Sequence, residues 1–279
     1  MPELPEVETV RSGLAKYVIG KKILTASTHH PRALKPASIA PVSALIGSKI
    51  LDVKRRGKFL WLSLDRPICL VVHLGMSGQL LVQPTAARAH NHMRAQFGLS
   101  AGRFGKTSNQ IRFVDQRTFG WVSVEEYVGD VPSSVSHIAL DPFEAKFDLP
   151  AAIAKIKKRK SAIKPTLLNQ EIISGIGNIY ADEALWRSKI HPEIICEDLT
   201  KAEIKRVINC AVEVMQEAIS AGGTSFDEQY KNVNGESGYF ERSLAAYGQE
   251  GEPCPRCGSA IVRIAFANRS SHLCQRCQR

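Results

Sequence analysis

The sequence predicts a multidomain α+β protein in which a β domain is followed by a helical domain and a small metal-binding module. Three observations carry this prediction. Short β-rich runs fill the region between about residues 21 and 128, helical periodicity dominates from 151 to about 221, and paired cysteines close the chain. A chain of 279 residues is long enough for two domains or for a domain with an added module.

The first element is an N-terminal helix. Residues 4–18, LPEVETVRSGLAKYV, place apolar side chains at helical spacing. Pro5 and two glutamates fall in the first turn, where helix starts favour them. This helix accounts for Leu4, Pro5 and Glu6, but it does not explain Pro2 and Glu3 in front of it.

A series of short β-rich runs follows the helix, separated by glycine, proline and polar turns. Their sequences are KILDV, KFLWLSL, ICLVVHL, QLLVQ, HMRAQFGL, QIRFV and GWVSVEEY. Several strands at this spacing predict a β-sandwich or a barrel. The loop-like stretch after them, which contains Pro132, Pro142 and Pro150, is the expected linker.

The second half of the chain is predicted to be helical. Its periodic segments are AAIAKIKKR, KPTLLNQEII, NIYADEALWRSKI and TKAEIKRVINCAVEVMQEAISA. We therefore expect a β domain with the N-terminal helix in residues 1–130, a linker in 131–150, a helical domain in 151–245 and the metal module in 246–279.

The composition and net charge of the chain indicate which classes of molecule it binds. The content of 44% hydrophobic and 23% charged residues is typical of a globular protein with a core. The net charge of +10 favours a polyanion, either nucleic acid or an anionic membrane surface. Because no long apolar run and no basic amphipathic helix stands out, we expect a soluble, unsecreted protein that binds nucleic acid and not a membrane.

The cysteines predict one structural zinc ion. Of the seven cysteines, Cys69, Cys196 and Cys210 are scattered and are expected to be reduced and inert. The other four form two C-x2-C pairs separated by residues 258–273, which alternate like two short strands. Tetrahedral Zn²⁺ takes four such ligands, and no open position then remains for catalysis. The predicted ligands are Cys254, Cys257, Cys274 and Cys277.

The glycine-rich turn between two helical segments allows two interpretations. Gly175-Ile-Gly177-Asn178 precedes a helix, and successive backbone N–H groups there would bind an anion such as a DNA phosphate. The alternative is that the glycines only permit a tight turn. Asn178 suits the N-cap under either interpretation. Arg269, at the tip of the cysteine hairpin, is either a phosphate contact or a solvated surface charge.

Polar and apolar side chains at strand ends of the β domain are weak signals when taken singly. Lys58 follows Arg55 and Arg56 in a charge run that is usually a solvated rim. Met76 lies in a tight turn, where it would otherwise fill a gap in the core, and Arg117 and Phe119 share a second loop. An exposed arginine and phenylalanine could wedge into a base stack.

Taken together, the motifs resemble those of the bacterial formamidopyrimidine-DNA glycosylases. The matching elements run in order along the whole chain: MPELPE, RRGK, HLGMSG, Arg-x-Phe-Gly, GIGNIYADE, NGESGYF and the two C-x2-C pairs. The endonuclease VIII group has the same overall plan but usually carries glycine where this chain has Leu4. The resemblance therefore favours the formamidopyrimidine branch.

The resemblance implies an N-terminal catalytic β-sandwich with flanking helices. It also implies a helical domain with a helix–two-turn–helix motif, a zinc β-hairpin finger, and DNA bound between the domains. The implied activity is that of a monomeric, bifunctional base-excision enzyme of the bacterial cytoplasm, associated with the nucleoid. It excises 8-oxoguanine and formamidopyrimidines from double-stranded DNA and cleaves the abasic strand by β,δ-elimination.

The resemblance also implies residue roles. Pro2 matches the nucleophile after removal of Met1, Glu3 the acid/base, and Lys58 a lysine near the damaged nucleotide. Three residues match the family's side chains that fill the gap left by the flipped base: Met76, Arg117 and Phe119. Three others match its phosphate contacts: His90, Asn178 and Arg269. The segment around 224–240 resembles the loop that closes on the extruded base.

One position departs from the family pattern. Many members read Pro-Arg-Arg-Phe-Gly where this chain has Thr118 between Arg117 and Phe119. Thr118 carries no charge, so the resemblance does not extend a phosphate contact to it. Two alternatives to the assigned activity stay open: an endonuclease VIII-like enzyme for oxidised pyrimidines, and a non-enzymatic zinc protein that binds DNA.

Overall fold

The fold is taken from a computed structural model of the chain, which describes residues 2–101, 109–223, 243–266 and 268–279. The α-helices are α1 (Leu4–Val18), α2 (Leu149–Lys157), α3 (Ile163–Leu168), α4 (Asn178–Ser188) and α5 (Lys201–Ser220). The first strands are β1 (Ile23–Thr28), β2 (Ile50–Arg56), β3 (Phe59–Leu64), β4 (Ile68–His73), β5 (Gln79–Pro84) and β6 (Met93–Leu99). The remaining strands are β7 (Asn109–Val114), β8 (Trp121–Val128), β9 (Val131–Pro132), β10 (Val262–Phe266) and β11 (Arg269–Leu273).

The chain divides into two compact units. The first contains the described residues of Met1–His137 and Gly222–Tyr239, and the second those of Ile138–Ala221 and Phe240–Arg279. The boundary after His137 lies inside the segment 131–150 that was expected to be the linker.

The first unit contains two antiparallel sheets. One sheet has the strand order β1-β6-β7-β5 and the other the order β2-β3-β4-β8-β9. Both sheets contribute to one apolar core, on which α1 buries Val7, Val10, Leu14 and Val18. Burial of each such side chain stabilises the unit by about 1.5–3 kcal/mol. The predicted α+β organisation with a helix beside the β-sheets is confirmed.

Strand β1 was not named among the predicted strands. Its sequence, ILTAST, buries Ile23 fully, while the residues that follow are exposed or half-buried. It therefore lacks the apolar alternation by which the other strands are recognised. It joins the sheet by pairing with β6, from Ile23 opposite Leu99 to Thr28 opposite Ala95.

In the second unit, α5 is the longest helix and is well specified by its sequence. Thr200 is its N-cap and forms a capping box with Glu203. Its apolar side chains recur at helical spacing and are buried: Ile204, Val207, Ile208, Ala211, Val214, Met215 and Ala218. The predicted segment 200–221 matches this helix closely.

Two local predictions in the helical region are wrong. The helix expected over 164–173 ends at Leu168, because Asn169 adopts an extended conformation and its Oδ1 accepts the N–H of Glu171 at 2.9 Å, which starts a turn. Asn178 is the first residue of α4, and Gly177, with an extended backbone, is the N-cap.

The C-terminal hairpin packs on the helices of the second unit. Strands β10 and β11 pair from Val262 opposite Leu273 to Phe266 opposite Arg269, as the alternating pattern predicted. Asn268 at the tip has a φ of 62°, which permits the tight reversal. In the parts of the chain that the structure describes, no helix has the length and apolar character needed to cross a bilayer.

Candidate functional site

The start of the chain is held by the first turn of α1. Glu3 is the N-cap, and it forms a capping box with Glu6, whose Oε2 accepts the Glu3 N–H at 2.8 Å. Both glutamates are only 2% exposed, and Pro2 is also buried. Pro2 and Glu3 are therefore anchored residues rather than a frayed terminus.

The segment after α5 begins against the same turn. Gly223 has a φ of 88°, and a Cβ placed there would lie 3.5 Å from Cγ of Glu6. This left-handed conformation favours glycine. The predicted loop around 224–240, including the NGESGYF motif, lies outside the described residues.

Lys58 occupies the tip of the β2–β3 hairpin. Arg56 pairs with Phe59, so Gly57 and Lys58 form a two-residue loop. Gly57 has a φ of 53°, as a type II′ turn requires at its first central position. The turn thus fixes where the lysine leaves the sheet.

The charge run beside Lys58 is not the solvated rim that was expected for Arg55. The Arg55 side chain is only 7% exposed, and its Nε lies 3.0 Å from Oε2 of Glu8. Its Nη1 also donates to the carbonyl of Gly57 at 3.2 Å, so Arg55 links the hairpin tip to α1. Burial alone would raise the pKa of Glu8, but hydrogen bonds from Arg11 and Arg55 outweigh it and lower that pKa.

His73 at the end of β4 is a residue that the sequence reasoning missed. Its ring stacks on Trp121 at 5.6 Å, and its Nδ1 accepts the N–H of Gly75 at 3.1 Å. Burial, followed by the charges of Lys58 and Lys35, lowers its pKa to about 4. The signal in the sequence was the first letter of HLGMSG, which directly precedes the turn that carries Met76.

Met76, Arg117 and Phe119 all lie exposed on two loops of the first unit. Met76 is 42% exposed and Phe119 58% exposed, so the gap-filling role in the core is wrong for Met76. The loops touch through their backbones, because a Cβ on Gly75 would lie 2.5 Å from the carbonyl carbon of Phe119. Exposed apolar side chains beside an arginine suit insertion into a base stack.

His90 is exposed in the loop that precedes β6. Its Nδ1 accepts the N–H of His92 at 3.2 Å, and the two rings are 6.0 Å apart. Partial burial, then His92, then Arg112 lower the pKa of His90, so its neutral form is favoured at pH 7. Among the described residues, no third metal-ligating side chain joins the two histidines.

The glycine-rich turn before α4 is braced from within the second unit. Gly175 has a φ of 94° and donates its N–H to Oε1 of Gln170 at 2.8 Å. Gln170 in turn donates to the carbonyls of Leu168 and Ile176. The tight-turn interpretation therefore accounts for Gly175, whose N–H already has an acceptor.

Asn178 reaches across to the zinc hairpin. Its Nδ2 donates to the carbonyl of Ser270 at 3.0 Å, next to Arg269. Arg269 itself is exposed at the start of β11. This hydrogen bond attaches Asn178 to the residue that directly follows Arg269 in β11.

A buried ionic cluster fastens the hairpin to the helices, and the sequence reasoning missed it. Lys164 of α3 is fully buried, and its Nζ lies 2.6 Å from Oδ1 of Asp182 in α4. The same Nζ donates to Oγ of Ser271 in β11 at 2.8 Å. Asp182 also accepts the backbone N–H of His272 at 2.9 Å. A lysine inside the apolar run AIKPTLL was the available signal.

The four predicted zinc ligands converge. Their sulfur atoms all lie within 4.8 Å of one another, close to the separation of about 3.8 Å that four Zn–S bonds of 2.3 Å impose in a tetrahedron. Each pair closes a tight turn, in which the N–H of the second cysteine donates to the carbonyl of the first. Trp186 Nε1 also donates to Sγ of Cys254 at 3.4 Å. The arrangement fits one structural zinc ion with no open coordination position.

The remaining cysteines are poor nucleophiles. Burial, with a contribution from Glu125, raises the pKa of Cys69 to about 12, and burial also raises the pKa values of Cys196 and Cys210. A thiol with a raised pKa stays protonated at neutral pH. The expectation that these cysteines are inert agrees with these shifts.

Three family models match the chain in succession. The formamidopyrimidine-DNA glycosylase N-terminal domain matches residues 1–122, the formamidopyrimidine-DNA glycosylase H2TH domain matches residues 138–229, and the zinc finger found in FPG and IleRS matches residues 251–279. Two curated relatives carry the name formamidopyrimidine-DNA glycosylase. The protein from Salinispora arenicola is 49% identical over 100% of this chain and 96% of its own length, and that from Rhodococcus opacus is 51% identical over 100% and 97%.

Solved structures agree with these matches. The MutM (Fpg) protein of Thermus thermophilus is 34% identical, with a TM-score of 0.85 over 99% of this chain and 98% of that one. The complex of Lactococcus lactis Fpg with DNA containing an abasic site is 31% identical, with a TM-score of 0.84 over 99% of both chains. A MutM complex with DNA containing carbocyclic 8-oxo-G is 32% identical, with a TM-score of 0.84 over 99% of both chains. These matches run along the whole chain at up to 51% identity and show that it belongs to the formamidopyrimidine-DNA glycosylase family.

Proposed function

We propose that this protein is a bifunctional DNA glycosylase and abasic-site lyase for oxidised purines. It excises 8-oxoguanine and formamidopyrimidines from double-stranded DNA and then cleaves the strand by β,δ-elimination. The observation that carries the proposal is the buried Pro2–Glu3 start, capped onto α1 in the same compact unit as Lys58 and the exposed Met76, Arg117 and Phe119. Relatives of matching fold are described in complexes with DNA that contains an abasic site or carbocyclic 8-oxo-G.

Pro2 is proposed as the nucleophile. Removal of Met1 turns its nitrogen into a secondary amine, which attacks C1′ of the damaged nucleotide. The glycosidic bond breaks, the base leaves with the bonding electrons and takes up a proton, and the deoxyribose ring opens to an iminium. Covalent catalysis of this kind divides one difficult step into two easier ones.

Glu3 is proposed as the acid/base group. As the N-cap it lies directly beside Pro2, and the capping box holds its backbone through Glu6. It protonates the sugar oxygen as the ring opens and then accepts protons during elimination. Loss of a C2′ proton expels the 3′ phosphate, loss of a C4′ proton then expels the 5′ phosphate, and attack of water on the iminium releases Pro2 and the sugar fragment as an aldehyde.

The DNA contacts proposed for this chain divide into two kinds. Lys58 lies near the damaged nucleotide, and phosphates of the bent strand contact His90, Asn178 and Arg269. Met76, Arg117 and Phe119 fill the space left by the extruded base, with Arg117 facing the orphaned cytosine. Phosphate contacts of this kind position the duplex, while the wedge lowers the cost of unstacking the lesion.

The structural zinc ion supports binding and takes no part in the chemistry. The four cysteines would hold the zinc ion at the base of the hairpin, and the exposed Arg269 lies near its tip. We further propose that the protein acts as a monomer, in the bacterial cytoplasm and on the nucleoid, because the chromosome contains its substrate.

A panel of duplex oligonucleotides tests this function. We expect rapid excision of 8-oxoguanine opposite cytosine and of formamidopyrimidines, and much slower excision of thymine glycol. A clear preference for thymine glycol would favour the endonuclease VIII-like activity. Tight binding to all duplexes without any excision or strand cleavage would favour a non-enzymatic zinc protein.

A further inference from the structure

The carboxylate of Asp115 joins the two loops that carry the exposed wedge residues. Asp115 follows β7 and is fully buried. Its Oδ1 accepts the hydroxyl of Ser77 at 2.6 Å and the N–H of Arg117 at 3.2 Å. Its Oδ2 accepts the N–H of Gly120 at 2.7 Å. One side chain therefore binds the loop after β4 and both ends of the loop before β8.

The two loops are packed backbone against backbone, with no space for side chains between them. Gly75 has a φ of 63°, and a Cβ on it would lie 2.4 Å from the nitrogen of Gly120. A Cβ on Gly120 would lie 2.8 Å from the carbonyl oxygens of His73 and Leu74. Real Cβ atoms are essentially never this close to a neighbour, so only glycine fits at both positions and the two backbones can lie directly against each other.

In the loop before β8, Thr118 adopts a backbone conformation that threonine disfavours. Its φ is 55°, a left-handed conformation that a β-branched residue seldom adopts. Its hydroxyl donates to the carbonyl of Arg117 at 2.7 Å. Such conformations persist only where the surroundings impose them. Here the hydrogen bonds of Asp115 lie on both sides of Thr118 and leave Arg117 and Phe119 exposed.

We propose that Asp115 is a positioning residue that makes Met76, Arg117 and Phe119 one rigid wedge. The proposal rests on the proposed function, because it concerns the extrusion of a base from the duplex. Asp115 is buried and acts only through the loops. If the two loops moved independently, ordering them on DNA binding would cost conformational entropy. Loops that are already fixed place the three side chains where the extruded base leaves the stack without that cost.

The variant Asp115→Asn tests this proposal with little change in shape. The amide replaces one acceptor oxygen by an NH₂ group, which faces an N–H or O–H donor and cannot accept from it. We expect single-turnover excision of 8-oxoguanine from a duplex to slow by at least about tenfold, equivalent to about 1.4 kcal/mol of barrier. Asp130→Asn is the matched control, since Asp130 is exposed at the β8–β9 turn of the same unit.

A second assay distinguishes a loss of wedge positioning from a non-specific loss of enzyme function. Strand cleavage at an abasic site in a single-stranded oligonucleotide needs Pro2 and Glu3 but no wedge, and we expect Asp115→Asn to leave its rate within about twofold. Fluorescence of 2-aminopurine next to the lesion should also rise more slowly in the variant. Placing the lesion in an unpaired bubble should restore much of the excision rate.

Ser77→Ala provides an independent variant with a milder defect. It removes one partner of Asp115 and leaves the carboxylate in place, so it decides the question if Asp115→Asn does not fold. Wild-type excision of the paired lesion by every variant that folds, or by Ser77→Ala alone if Asp115→Asn does not fold, would overturn the proposal. An equal loss of excision and single-strand cleavage in folded protein would overturn it as well. Failure of the wild-type protein to excise any oxidised purine would instead overturn the proposed function.

Discussion

The lowered pKa of His73 reflects the burial and the positive charges around this residue in the first unit. It lies among Phe59, Trp121, Lys58 and Lys35, and its Nδ1 accepts the N–H of Gly75. Burial, followed by the nearby charges of Lys58 and Lys35, disfavours the imidazolium and lowers the pKa of His73 to about 4. A neutral ring leaves Nδ1 available as the acceptor that orders the turn carrying Met76.

This shift predicts a pH-dependent stability. The unfolded chain takes up a proton near pH 6.5 and the folded protein only near pH 4, so the unfolded state binds more protons between these values. The contribution of His73 is therefore complete above about pH 6.5 and is lost as the pH falls to about 4, by up to about 3 kcal/mol.

Urea unfolding of the wild type and His73→Asn between pH 4 and pH 7 measures this contribution. The asparagine keeps an acceptor for the Gly75 N–H but does not titrate. We expect a shallower loss of unfolding free energy in the variant on acidification. Parallel curves would mean that His73 titrates normally.

Thr118 provides a second prediction for a single residue. Asparagine tolerates a φ of 55° better than threonine does, so Thr118→Asn should raise the free energy of unfolding by about 0.5–1 kcal/mol. Thr28→Asn, in strand β1 at an ordinary φ, should give no such gain. A destabilised Thr118→Asn would show that the threonine side chain contributes more than its conformation costs.

At the scale of elements, Lys164 and Asp182 join α3, α4 and β11. Lys164→Ala leaves the Asp182 carboxylate buried without its cation, which should lower the stability of the second unit by about 3–5 kcal/mol. Lys155→Ala, at an exposed lysine of α2, is the matched control and should change little. Denaturant unfolding followed by far-ultraviolet circular dichroism measures both, and a loss below about 1 kcal/mol would contradict a tightly coupled pair.

The elements that the sequence predicted well are those whose ends have local signals. Helices α1 and α5 begin at capping boxes and keep a buried apolar face, so their periodicity is clear. The prediction of a helix over 164–173 was wrong because the side chain of Asn169 accepts the backbone N–H of Glu171 and starts a turn. Such a side-chain hydrogen bond competes with the continuation of the helix. Tertiary pairing alone reveals β1, since most of its side chains are not buried.

The same distinction holds for the candidate site. The zinc ligands were predictable because ligand spacing is local in sequence, whereas the roles of Pro2 and Glu3 were implied only by the resemblance to the family. The roles of Arg55, Asp115 and Lys164 were not predictable, because each acts through partners that are distant along the chain. A buried charged residue can be identified only when the residues that pair with it are known. A single sequence does not show which distant segments of the chain come together.

At the scale of the whole molecule, the net charge of +10 predicts DNA binding that weakens steeply with salt. Arg269→Gln should weaken binding to all sequences and reduce the slope of log K against log salt by about 0.9, the value of one phosphate contact. Arg276→Gln, at an exposed arginine of the second cysteine pair, is the control and should keep the wild-type slope. Equal slopes in all three proteins would remove Arg269 from the phosphate contacts.

The central claim is that the anchored chain start performs the chemistry. Borohydride reduction during reaction with 8-oxoguanine DNA, followed by mass spectrometry of the digested adduct, tests it most directly. We predict one DNA adduct per protein at the nitrogen of Pro2 in protein that has lost Met1, and no adduct when that nitrogen is acetylated. An adduct that persists in the acetylated protein, or one that maps to Lys58, would contradict the account.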